Sequence, residues 1–160
     1  MNEGKFDIRE LIGRELMIPE GALEVRGYIL HKFTQFENLV NRFILEAFKE
    51  NTKAEIYNMS WKEKQKKFFQ ALISVGIEKN SIHYQEFEKK LPSIVDLRHA
   101  MAHWVWSVAK SNGDTISIRF AKPDKAPIVV DNNIILEYQE NCKRLEARLT
   151  IIYVQIFPGF

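Results

Sequence analysis

The chain has 160 residues, 46% of them hydrophobic and 28% charged, the proportions of an ordinary globular protein. That composition excludes a disordered chain, a collagen-like fibre and a coiled-coil rod, and the length fits one domain spanning residues 1–160. With 23 Lys and Arg against 21 Asp and Glu the formal net charge is +2, so total charge neither demands nor excludes nucleic acid, and any basic surface has to be local.

A domain of this size buries about 70% of the surface its unfolded chain exposes, enough for a core without disulfides. The single cysteine, Cys142, allows neither an internal disulfide nor a Cys-based zinc site. This fits a reducing compartment, and a cytoplasmic location is expected. Lys5, Asp7, Arg9, Glu10, Arg14 and Glu15 make the stretch from Met1 to Met17 too charged for a secretory signal. No uncharged apolar run approaches the ~20 residues of a membrane span, so no membrane partner is expected.

Residues 1–19 read as a peripheral arm, with Ile8, Leu11, Ile12 and Leu16 at helical spacing and Pro19 as the stop. A long helix is predicted from about Leu23 to Glu50, because Ile29, Phe33, Phe36, Val40, Phe43 and Ala47 recur in steps of three and four. So regular a stripe suits a core helix, and it also suits a helix-mediated dimer. Asn51 to Met59 reads as a polar connection.

Ser60-Trp61-Lys62-Glu63 matches a capping box. The helix it opens carries Phe68, Phe69, Leu72 and Ile73 on its apolar side, with Gly76 as its stop. Lys62, Lys64, Lys66 and Lys67 are expected on its exposed side, as a solvated face or as a phosphate-facing, RNA-binding patch. Ser81 caps the next helix, whose apolar positions are Ile82, Phe87, Leu91, Ile94, Val95 and Met101, with a kink or break expected at Pro92.

The period then changes. Trp106, Val108 and Lys110 alternate, as do the residues from Thr115 to Phe120, around Asn112-Gly113-Asp114, which predicts a β-hairpin. Pro123 and Pro127 are placed in a loop. Asp131, Asn132 or Asn133 caps a last helix to about Ile156, with Ile135, Tyr138, Cys142, Leu145, Leu149, Ile152 and Ile156 inward. The predicted fold class is all-α: a bundle of four to five helices with a small β-hairpin insertion.

Chemistry concentrates in the run Asp96-Leu97-Arg98-His99-Ala100-Met101-Ala102-His103-Trp104. On a helix, His99 and His103 share a face, Asp96 joins them, and Arg98 lies oblique to it. The residues alone allow three readings. In one, the side chains are structural, with Arg98 pairing to Asp96 or another carboxylate. In another, Asp96, His99 and His103 have a spacing that allows a metal, although Arg98 would set a positive charge beside the ion. In the third, Arg98 and His103 suit metal-free phosphodiester cleavage. His carries a proton near neutral pH. Arg grips phosphate oxygens in a bidentate fork and stabilises the charge of the transition state, and the RNA 2′-OH serves as nucleophile.

The spacing Arg98-x4-His103 near a helix end, with His99 after the arginine, resembles the signature of the HEPN superfamily (higher eukaryote and prokaryote nucleotide-binding domain). The long helix with Phe33, Phe36, Glu37 and Asn41, the Ser60-capped helix and the closing helix extend the likeness over roughly Gly27 to Ile156. The resemblance implies a metal-independent RNase without cofactor, often a toxin or phage-defence effector, acting as a homodimer with a composite cleft and held in check by an antitoxin protein. Carried over, Arg98 and His103 are the catalytic pair, His99 the polar helper, and Glu37 the acidic residue that some members place on an earlier helix. Some toxin members carry, two residues after the histidine, a tyrosine that a partner nucleotidyltransferase modifies; Val105 stands there in this chain. Other members only bind nucleotides or proteins, so a non-catalytic dimeric module is the alternative function.

Overall fold

The computed structural model describes residues 22–112 and 115–158; the arm expected over residues 1–19 and the turn residues Gly113 and Asp114 lie outside them. The described elements are α1 (Ala22–Ala47), α2 (Lys53–Asn58), α3 (Trp61–Ser74), α4 (Ile82–His103), β1 (Val105–Asn112), β2 (Thr115–Lys122), β3 (Lys125–Val130) and α5 (Asn132–Ile156). The protein is an all-α bundle with a small β insertion. Contacts along the chain group into two compact units. A motif unit takes the described residues up to Leu30 and Leu97–Glu137, and a helical unit takes His31–Asp96 and Tyr138 onward. This division is not legible in the composition, which suggests one domain.

In the helical unit the core is aromatic. Phe43 of α1 meets Phe68 of α3 edge-on at 5.8 Å between ring centroids, and Phe68 meets Phe87 of α4 at 5.1 Å. Phe43 also lies 6.4 Å from Tyr153 of α5. These tilted and edge-to-face pairs suit the ring quadrupoles and add to the burial of large apolar surface. The stripe Ile29, Phe33, Phe36, Val40, Phe43 is at most 1% exposed. The stripe is therefore part of the core, the first of the two uses that its regularity suits.

Local signals set the element ends. Ser60 accepts from the Glu63 N–H at 3.4 Å while the Glu63 carboxylate accepts from the Ser60 N–H at 3.0 Å, closing the expected capping box. The end of α3 is a Schellman turn: Ile77 N–H donates to the Leu72 carbonyl, Gly76 N–H donates to Ile73, and Gly76 takes φ +90°. A side chain at that φ would be strained. Asp131 caps α5 through the Ile134 N–H at 2.9 Å.

Several expectations need correcting. Residues 51–59 are not a plain connection, because Thr52 and Glu55 form a second capping box that opens α2. Helix α4 runs unbroken through Pro92. Ile73 and Ile82, expected inward, are exposed.

The hairpin forms as predicted, with Trp106 opposite Phe120 and Val108 opposite Ile118. The Pro123–Pro127 stretch, however, is not simply a loop. Lys125–Val130 adds a third, antiparallel strand at the edge of the sheet, in the order β1-β2-β3. The register jumps from Phe120↔Ile128 to Lys122↔Lys125, so β3 has one residue more than β2 there. Pro127 sits within that bulge, where its missing N–H is least costly.

Candidate functional site

The last turns of α4 divide cleanly into two faces. Leu97, Ala100, Met101 and Trp104 are buried, spaced three, four and seven residues from the first, which is one side of a helix. Asp96, His99 and His103 have the same spacing one residue earlier and are exposed. Arg98 lies half-buried at the border. Burying the apolar set therefore forces the two histidines to solvent, and their rings stand 4.9 Å apart at 53°.

The helix end carries further positive charge. Arg26 Nη2 of α1 donates to the Ala102 carbonyl at 3.5 Å, one of the last carbonyls that lack a partner within the helix. The chain then passes through Trp104 directly into β1. The pairing Val105↔Ala121 sets Lys122 at the end of the sheet nearest α4, and Lys122 pairs in turn with Lys125. Both lysines are exposed. The charges register at His99, whose imidazole is held below the ordinary histidine value of 6.5. Partial desolvation leads, although the side chain as a whole is exposed; repulsion from His103, Lys122, Lys125 and Arg98 acts in the same direction. His99 is thus biased toward the neutral, proton-accepting form.

Among the described residues, no group of three His, Cys, Asp or Glu side chains is placed to hold a metal ion. The Asp96–His99–His103 spacing does not become a ligand set. This helix end can offer imidazoles to a proton and cations to a phosphate.

The other sequence-predicted residues belong to the helical unit. Lys64, expected on the solvated side of α3, is instead 2% exposed, its ammonium 2.6 Å from Glu37 Oε1. It falls four residues before Phe68 and seven before Ala71, on the buried face. Burying an ammonium requires a partner, and Glu37 supplies it, so the carboxylate considered for the site is committed to this pair. Lys67 is half-buried with its ammonium 5.0 Å from the centroid of the Phe48 ring, a cation–π contact. Lys62 and Lys66 are exposed, as expected.

Sequence reasoning missed Lys122, Lys125 and Arg26. The signal for the lysines was present in Lys122-Pro123-Asp124-Lys125, since Pro followed by Asp suits the two central residues of a tight turn. No family model, curated protein or solved structure matches this chain.

Proposed function

We propose that the protein is a metal-independent endoribonuclease of HEPN type acting at the end of α4. The observation that carries this reading is the exposed His99–His103 pair, 4.9 Å apart, with Arg98 beside it on the same helix end. Cleavage by 2′-OH attack needs a base for the hydroxyl proton, an acid for the leaving oxygen, and positive charge on the phosphorane-like transition state. The 2′ oxygen bonds to phosphorus and the bond from phosphorus to the 5′ oxygen breaks. One imidazole accepts the 2′ proton and a protonated imidazole returns one to the 5′ oxygen. The products are a 2′,3′-cyclic phosphate and a 5′-hydroxyl. His99, biased to its neutral form, suits the first role and His103 the second, while Arg98 binds the non-bridging oxygens. In this reading two copies pair, as the resemblance implies, and a toxin or defence role with an antitoxin partner comes from the same likeness.

The test is incubation of purified protein with labelled single-stranded RNA in EDTA. His103→Ala is expected to lose about 10²–10⁴-fold in rate while stability stays within about 0.5 kcal/mol, because the ring is exposed. Arg98→Ala is expected to lose both cleavage and RNA affinity. RNA carrying a 2′-deoxy sugar at the cut position should be inert, and its equal cleavage would discard the mechanism. A second reading, a non-catalytic nucleotide- or protein-binding module, draws support from the half-burial of Arg98, which already interacts within the protein. It takes over if wild type binds RNA but cuts none.

A further inference from the structure

The β insertion brings to the helix end a pair of cations that the Arg98–His103 motif does not contain. Register alone locates them. Val105 pairs with Ala121, so Lys122 lies one step beyond that pair, level with Trp104 and next to the last residue of α4. Lys122 and Lys125 are Cα partners across β2 and β3. Neighbouring strands lie about 4.8 Å apart, so β3 and its Lys125 stand roughly 10 Å from the start of β1. Pro123 and Asp124 close the turn between the lysines, and all four residues are exposed.

Two like charges directly opposite each other on a hairpin destabilise it, and no hydrogen bond or salt bridge to either lysine is seen among the described residues. A polyanion lying along the turn would relieve that repulsion. Asp124, between them, is the one carboxylate of the turn and offsets only part of the charge. The ammonium groups are point charges suited to phosphate oxygens rather than to bases.

We propose that Lys122 and Lys125 form a backbone-phosphate clamp that holds RNA across the sheet end and leads the strand to His99 and His103. The β insertion is then a substrate-positioning element, and the lysines are positioning residues rather than catalytic ones. The proposal rests on the ribonuclease reading for its choice of RNA. It concerns binding, so it can be separated from cleavage.

The probe is a short, fully 2′-O-methylated single-stranded RNA, which lacks the nucleophile and stays intact. Its affinity is measured against salt for wild type, for Lys122→Gln/Lys125→Gln, for Lys122→Arg/Lys125→Arg, and for Lys143→Gln, an exposed lysine of α5 in the helical unit. Each neutralised phosphate contributes about 0.7 to the slope of log affinity against log salt for a single strand. The glutamine pair should therefore flatten the slope by about 1.4, with weaker binding, while the arginine pair and Lys143→Gln keep the wild-type slope. Circular dichroism should be unchanged in all the variants, since only exposed side chains are altered. On cleavable RNA the glutamine pair should raise KM and leave kcat near wild type, the signature of lost ground-state binding.

An unchanged slope in the glutamine pair overturns the clamp, even if wild type cuts RNA normally. Lysine-dependent binding without cleavage upholds the clamp and removes the ribonuclease. Absence of binding removes both.

Discussion

Lys64 and Lys122 are the same residue type put to opposite uses in the two units. Lys64 lies in a helix so rich in lysine that the run invites a phosphate-binding interpretation, yet it is 2% exposed and bound to Glu37. Lys122 flanks an ordinary Pro-Asp turn, yet it stands exposed with Lys125 at the sheet end adjoining the histidine-bearing helix. A local density of lysine in sequence is a poor guide to a basic surface. The deciding factors are the face that each position occupies and whether a carboxylate is held against it. In the helical unit Lys64 is held inside by Glu37, whereas in the motif unit Lys122 and Lys125 face water.

The sharpest way to break this contrast is to damage the helical core and measure the loss of stability. Phe68 sits between Phe43 and Phe87 with no exposed surface, and Phe68→Ala should cost about 3–5 kcal/mol through lost burial and the cavity left behind. Chemical denaturation measures it. A loss under about 1 kcal/mol would mean that the aromatic cluster is not the core of the helical unit.

The next effect concerns the buried pair. Lys64→Met keeps the length of the side chain but leaves the Glu37 carboxylate without its partner, and about 1–3 kcal/mol should be lost, the cost of stranding one member of a charged hydrogen bond. Glu37 is 24% exposed, so water recovers part of it. Adding Glu37→Leu should restore much of the stability, since hydrophobic replacement of a buried pair is often neutral. If Lys64 instead faced phosphate, Lys64→Met would lower RNA affinity and leave unfolding untouched.

The smallest effect is the titration of His99. Its folded value lies below the ordinary 6.5, so the unfolded chain takes up its proton first as pH falls. The stability His99 contributes is fully present above about pH 6.5 and is lost as pH drops through the folded value. Followed by NMR of the ring, the midpoint should rise toward 6.5 in Lys122→Gln/Lys125→Gln, because two of the repelling charges are gone. A midpoint that does not move would separate the lysines from the histidines and weaken the link between the sheet and the helix end.

Much of the helical layout was legible in residues. The Ser60–Glu63 box, the Gly76 stop and the Asp131 cap are short-range devices whose partners lie within a few positions, and such devices work wherever the chain goes. The Thr52–Glu55 box was equally legible, but the polar residues around it suggested a connection. The two-faced end of α4 also comes from spacing, since burial of Leu97, Ala100, Met101 and Trp104 leaves Asp96, His99 and His103 outside. The third strand was hidden by Pro123 and Pro127, which mark a loop unless a turn and an edge bulge accommodate them.

By itself, then, the sequence determined how α3 and α5 are capped, which stripe of α1 is apolar, and that an arginine and two histidines share the last turns of one helix. These depend on interactions between near neighbours and on helical period. Only the tertiary structure decided that Lys64 is an interior residue, that Glu37 is its partner, and that Lys122 and Lys125 stand at the sheet end next to α4. Those outcomes depend on positions far apart in the chain: 27 residues separate Glu37 from Lys64, and the Val105↔Ala121 pairing sets the lysines beside the helix end. Charge and hydrophobicity act through distance in space, and the chain reveals that distance only after it has folded.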